Sequence, residues 1–147
     1  MTAKDNPFKF SVTFRAFHPS ADLKNLLAIL SKEIGLASGR IWMVGDDYFT
    51  QSGDRLIGKR KESYFFFPVE NNVMECEEKS LLSVIEKLLI NLQNVKNSLQ
   101  EHTRTGGRLV FYISMYGTDN IGYTFSKDCI KKLADLNIEL DIEFYSE

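Results

Sequence analysis

The sequence predicts an α+β domain, a two-layer α/β sandwich with a mixed, mainly antiparallel sheet of about four to six strands and about three helices on one face. Three observations predict it. Segments of period-two alternation stand at both ends of the chain, and stripes of helical period lie between them. No linker, repeat or composition break divides the 147 residues, so 1–147 reads as one domain.

The opening segment places Phe8, Phe10, Val12, Phe14 and Ala16 on one face and Lys9, Ser11, Thr13 and Arg15 on the other, as a strand with one buried side requires. His18-Pro19 ends it, because proline cannot donate to a ladder. Ser20 then offers an N-cap, and Asp22 suits the first turn of a helix over about Ala21–Ile34. Its inward stripe is Leu23, Leu26, Leu27, Leu30 and Ile34, and Gly35 is its natural stop. The least regular stretch is 36–63. Ile41–Val44 reads as a short strand, while Gly45-Asp46-Asp47 and Ser52-Gly53-Asp54 are turn chemistry. Tyr64–Phe67 reads as a strand closed by Pro68, followed by a polar stretch over Glu70–Glu78.

A long second helix is predicted from Lys79 or Ser80 through Leu99, about five turns, with one stripe from Leu81, Leu82 and Ile85 through Leu88, Leu89, Leu92, Val95 and Leu99. His102–Gly107 reads as a loop, and Leu109–Tyr116, apolar on both faces, as a central strand. After a turn at Gly117–Gly122, Ser126 caps a short helix with Cys129, Ile130, Leu133 and Leu136 inward, and Asn137 suits a left-handed stop. In the closing strand Ile138, Leu140, Ile142 and Phe144 alternate with Glu139, Asp141, Glu143 and Tyr145. The final strand–helix–strand unit predicts a right-handed crossover between parallel strands.

Composition excludes several classes. A hydrophobic fraction of 44% with 18 aromatic residues (eleven Phe, six Tyr, one Trp) is that of a globular chain and not of a disordered one. A net charge of −2 lacks the basic excess of a nucleic-acid binder, so nucleic acid is not an expected partner. The polar start, Met1 to Asn6, is no signal peptide, and no apolar run is long enough for a membrane span. Two cysteines, Cys76 and Cys129, form no CxxC pair and read as free thiols of a reducing cytoplasm. No nucleophile elbow, zinc-protease, phosphate-loop or dinucleotide motif occurs, and the two histidines and two cysteines are too scattered for a zinc site. The expectation is therefore no catalytic residue, no metal and no cofactor.

Three groups of residues remain as candidates. His18 lies between a strand and a helix, where functional groups concentrate, although a surface histidine at a strand end is the plain expectation. The middle segment gathers Arg40, Arg55, Lys59, Arg60 and Lys61 with Trp42, Tyr48 and Phe49, and holds Asp46, Asp47 and Asp54, whose spacing is that of turns and not of a calcium loop. From these, Arg15, His18, Arg40, Trp42, Asp46 and Arg55 form a candidate small-ligand or nucleotide site. The row Glu139, Asp141 and Glu143, with Glu147 beyond it, is either a solvated face that discourages edge pairing or a docking surface for a basic protein.

Four segments carry a resemblance: Phe8–Phe17 into His18-Pro19-Ser20; Trp42-Met43-Val44-Gly45-Asp46 with Gly53, Leu56 and Gly58; Ser63-Tyr64-Phe65; and Phe125-Ser126-Lys127, Leu133-Ala134 and Leu140-Asp141-Ile142. In order and spacing the chain resembles a mostly bacterial family, the domain of unknown function numbered 4279, although members tend to carry a tryptophan near Phe65. The resemblance implies the outline of the fold and no activity. The expectation is a small bacterial, cytoplasmic, non-enzymatic protein-binding module of the immunity or antitoxin kind, monomeric or homodimeric. The alternative is a small-ligand or nucleotide-binding domain, or a weak enzyme, using residues 36–63.

Overall fold

A computed structural model describes residues 8–75, 80–118 and 122–146. Its elements run β1 (Lys9–His18), α1 (Lys24–Ile34), β2 (Asp47–Phe49), β3 (Arg55–Lys59), β4 (Ser63–Glu75), α2 (Leu81–Gln93), α3 (Lys96–Arg104), β5 (Arg108–Gly117), α4 (Lys127–Asp135) and β6 (Ile138–Ser146). The main sheet has the order β4-β1-β5-β6. There β1 is antiparallel to both neighbours and β5 is parallel to β6, while β2 and β3 form a separate hairpin. The α+β class and the parallel return of the last strand agree with the sequence pattern.

Register decides the core. Ala16 stands between Phe65 and Leu109, and Phe14 between Phe67 and Phe111. The rings of Phe14 and Phe111 lie 5.2 Å apart. These side chains join Leu26 and Leu30 of α1, Leu81, Ile85, Leu88 and Leu92 of α2, Leu99 of α3 and Cys129 and Leu133 of α4 in one buried cluster. All four helices therefore cover one face of the sheet, and each large apolar side chain removed from water there contributes ~1.5–3 kcal/mol. Ser80 and Ser126 cap α2 and α4 through their hydroxyls, Gly35 closes α1 and Asn137 follows α4, both in the left-handed conformation. Cys129 is a buried free thiol whose pKa burial pushes up; Cys76 lies outside the described residues.

Several elements depart from the sequence expectation. Ser20 caps nothing. The Nδ1 of His18 instead accepts the backbone N–H groups of Ser20 and Ala21, and α1 begins only at Lys24. The predicted long helix is broken at Asn94-Val95. Asparagine is a weak helix former, and the Asn94 amide here donates to Glu33 of α1 at 2.7 Å. β4 continues through Pro68 as far as Glu75, which an edge strand tolerates because no ladder donor is needed on its outer side. His102 belongs to α3 and not to a loop. The expected strand at Ile41–Val44 is a single bridge from Trp42 to Tyr64, and the real hairpin lies in the stretch read as turns and basic loop. Ile142 and Phe144 stand in register with buried Ile113 and Met115 yet are 45% and 50% exposed at the sheet's edge strand.

Candidate functional site

The helix-free face of the sheet is where the polar halves of the alternating strands point. Register aligns Phe66, Arg15, Val110 and Glu139 in one row and Pro68, Thr13, Tyr112 and Asp141 in the next. The Arg15 guanidinium lies over Tyr112, 3.9 Å from the ring centre. The hydroxyls of Tyr112 and Tyr145 both donate to the Glu143 carboxylate, and the Tyr145 ring stacks on Tyr116 at 5.1 Å. These bonds hold the Glu143 pKa down and push the Tyr145 phenol up, since a carboxylate resists the loss of its donors. Arg108 donates to Glu139 at 2.7 Å. The acidic row is thus largely engaged. Asp141, exposed beside it, makes no side-chain hydrogen bond or ion pair among the described residues. Glu147 lies outside the described residues.

At the opposite edge, residues 39–62 form an arm laid against β4. Gly39 donates to the Phe66 carbonyl at 2.8 Å, and Trp42 and Tyr64 exchange backbone bonds at 3.0 and 2.9 Å. A Cβ on Gly39 would stand 2.1 Å from the Phe66 ring, so only glycine lets the chain approach this closely. Ser63 ties the arm to the segment between β1 and α1 by accepting from Val44 N–H at 2.9 Å and donating to the Ala21 carbonyl at 2.7 Å. A stack then rises from the sheet into the hairpin. Phe17 meets Tyr64 at 4.9 Å, and Tyr64 meets Trp42 at 4.7 Å. The Arg60 guanidinium lies 3.7 Å from the Trp42 ring centre and 4.2 Å from that of Tyr48. Burial raises the Tyr64 pKa, with the Arg15 charge acting against it.

Arg40, Ile41, Trp42, Asp46, Asp47, Phe49 and Arg60 line a cavity of about 510 Å³ beside this stack. Three of the six ligand candidates, Arg40, Trp42 and Asp46, therefore meet. Asp46 caps the local turn by accepting from Met43 N–H at 2.8 Å, and Arg40 reaches the Phe49 carbonyl at 3.4 Å. Arg55 stands apart on β3, 3.5 Å from Asp47. The hydrogen bond from Lys59, helped by the Arg55 charge, holds the Asp47 pKa below the usual carboxylate range. Arg15 points to the open sheet face and is engaged with Tyr112.

His18 is neither a surface group nor a partner of Asp46. It is 2% exposed and lines a different cavity, between α1 and α3. Because its Nδ1 accepts two backbone N–H groups, its proton sits on Nε2, which lies 3.0 Å from the Thr105 hydroxyl. Its ring lies 5.5 Å from that of His102, which is also buried and whose Nε2 donates to the Arg108 carbonyl at 3.2 Å. The histidine anchors a corner of the fold. Arg60 and Tyr48 belong to the basic and aromatic middle group but not to the six ligand candidates, and Tyr64 belongs to neither. The pattern that points to them is the off-face position of Tyr64 in β4 and the arginine that directly follows β3.

Among the described residues no group of His, Cys, Asp and Glu side chains is placed to hold a metal ion, and no helix is long and apolar enough to cross a membrane. The fold and this face define a class: one helix layer on a mixed sheet, with an aromatic- and arginine-bearing open face. The chain belongs to the family described as "Domain of unknown function (DUF4279)", whose profile matches residues 9–147. No curated protein and no solved structure matches it.

Proposed function

We propose that this domain is a non-enzymatic protein-binding module, of the immunity or antitoxin type, that docks a basic partner on the β5–β6 half of its helix-free face. The observation that supports this reading is the surface itself, where Tyr112, Tyr116 and Tyr145 stand among Glu139, Asp141 and Glu143. Tyrosines give large contact area at small conformational cost, and they are enriched at interface hot spots. The tyrosine–carboxylate bonds fix the side chains before a partner arrives, which lowers the ordering cost of association. Exposed Asp141 remains to meet a cation and to steer a basic surface.

The test is co-expression with the product of the adjacent gene, comparing wild type with Asp141→Lys and Tyr116→Ala. The expected outcome is a complex that weakens at least about tenfold in either variant, the loss of one charge-assisted contact or hot-spot ring. A complex equally tight in both variants overturns this surface.

A further inference from the structure

We infer that the cavity beside Trp42 is an oxyanion site in which Arg40 and Arg60 hold the carboxylate or phosphate group of a small molecule. This goes beyond the docking surface, from which it is distinct in residues and in ligand.

The inference starts from an arginine without an acceptor. The Arg60 guanidinium is fixed between the Trp42 and Tyr48 rings, yet among the described residues its side chain makes no hydrogen bond and no ion pair. Its Nε is buried without a partner. Stacking leaves the edges of the guanidinium plane available, and those edges carry the donors that match a carboxylate or phosphate. A fixed guanidinium also loses little conformational freedom when an anion binds.

A second cation stands on the same ring. Arg40 lies 5.5 Å from the Trp42 ring centre, and its one hydrogen bond is a long contact to a carbonyl. Neither carboxylate that lines the cavity is hydrogen-bonded or ion-paired to Arg40 or Arg60 among the described residues. Asp46 is bound to the Met43 N–H, and Asp47 is held by Lys59 and Arg55. A volume of about 510 Å³ with Ile41, Trp42 and Phe49 on its wall suits a small molecule with an apolar body behind its anionic group.

The chain has a single tryptophan, so its fluorescence reports on this cavity alone. Sodium phosphate, sodium acetate and sodium chloride are titrated at equal ionic strength, with calorimetry alongside. A saturable response to phosphate, to acetate or to both, with none to chloride, is expected, and the preferred salt identifies the anionic group. Arg40→Gln then weakens binding at least about tenfold, a factor typical of a charge-assisted hydrogen bond. Arg104→Gln removes the same charge from an exposed side chain of α3, paired with Glu101 and outside the cavity, and leaves affinity within about twofold. Absence of a saturable response by both methods, an equal response to chloride, or equal weakening by Arg40→Gln and Arg104→Gln overturns the inference.

Discussion

In the sheet core Phe14 and Phe111 are fully buried and face each other across neighbouring strands, whereas in the arm Leu56 is 48% exposed and Ile57 has no cover at all. The two regions are held by different physics. The core is an area effect: many apolar side chains from four strands and four helices leave water together, and no single pair decides the outcome. The arm buries little. It is held by backbone bonds to β4, by the Ser63 hydroxyl and by the stack of Phe17, Tyr64, Trp42, Arg60 and Tyr48. An element held by a few specific contacts opens more readily than the core beneath it, and binding loops are drawn from that low-stability end.

The largest expected effect lies in the core. Phe111→Ala removes a fully buried ring from the strand at the centre of the sheet and is expected to cost about 3–5 kcal/mol in denaturant unfolding. A loss under about 1 kcal/mol would show that the core is not one cooperative unit.

Trp42→Ala separates the regions in the opposite sense. It removes the ring between Tyr64 and Arg60 while leaving the helix-covered face untouched. One aromatic pair is worth about 0.5–1.5 kcal/mol and one cation–π contact about 0.5–1 kcal/mol. Amide exchange in 47–59 is therefore expected to accelerate about tenfold, while exchange in β1 and β5 stays within about twofold of wild type. Equal acceleration in both regions would mean that the arm is part of the global core.

The same contrast explains how much was legible in the sequence. Strands β1, β5 and β6 and the caps at Ser126, Gly35 and Asn137 are readable because they follow from period and local propensity alone. The break at Asn94 is not, since the apolar stripe runs on through Val95 and Leu99, and asparagine's weak propensity is reinforced by a bond to Glu33, sixty-one residues away. The extent of β4 is not, because the edge position that tolerates Pro68 is a property of the whole sheet. The candidate site is legible in composition and not in geometry. Trp42, Arg40 and Asp46 share a short segment, but Arg60 and Tyr48 join them only through hairpin pairing, and His18 leaves the set because its ring is turned inward to hold two backbone amides.

The smallest expected effects are protonation effects, and they fall in separate windows for the two regions. Burial, with a smaller electrostatic contribution from the neighbouring His18 ring, lowers the His102 pKa below its ordinary value of about 6.5, although carbonyl acceptors oppose the shift. A histidine whose folded pKa is depressed favours the native state while neutral, so its contribution is present above pH ~6.5 and is lost as pH falls through the lower folded value. Asp47 in the arm is depressed from the carboxylate value of about 3.8 by Lys59 first and Arg55 after it, so its contribution persists to more acidic pH and fades only as pH falls through that depressed value. Global unfolding is expected to lose stability between about pH 7 and 5, with a slope that His102→Gln reduces, while protection in 47–59, taken relative to the intrinsic exchange rate at each pH, is expected to change little over that range and to fall only below about pH 4. If His102→Gln leaves the global slope unchanged, the histidine pair does not couple protonation to the core. If arm protection already falls between pH 7 and 5, the arm responds to the core's titration and the two regions do not open independently.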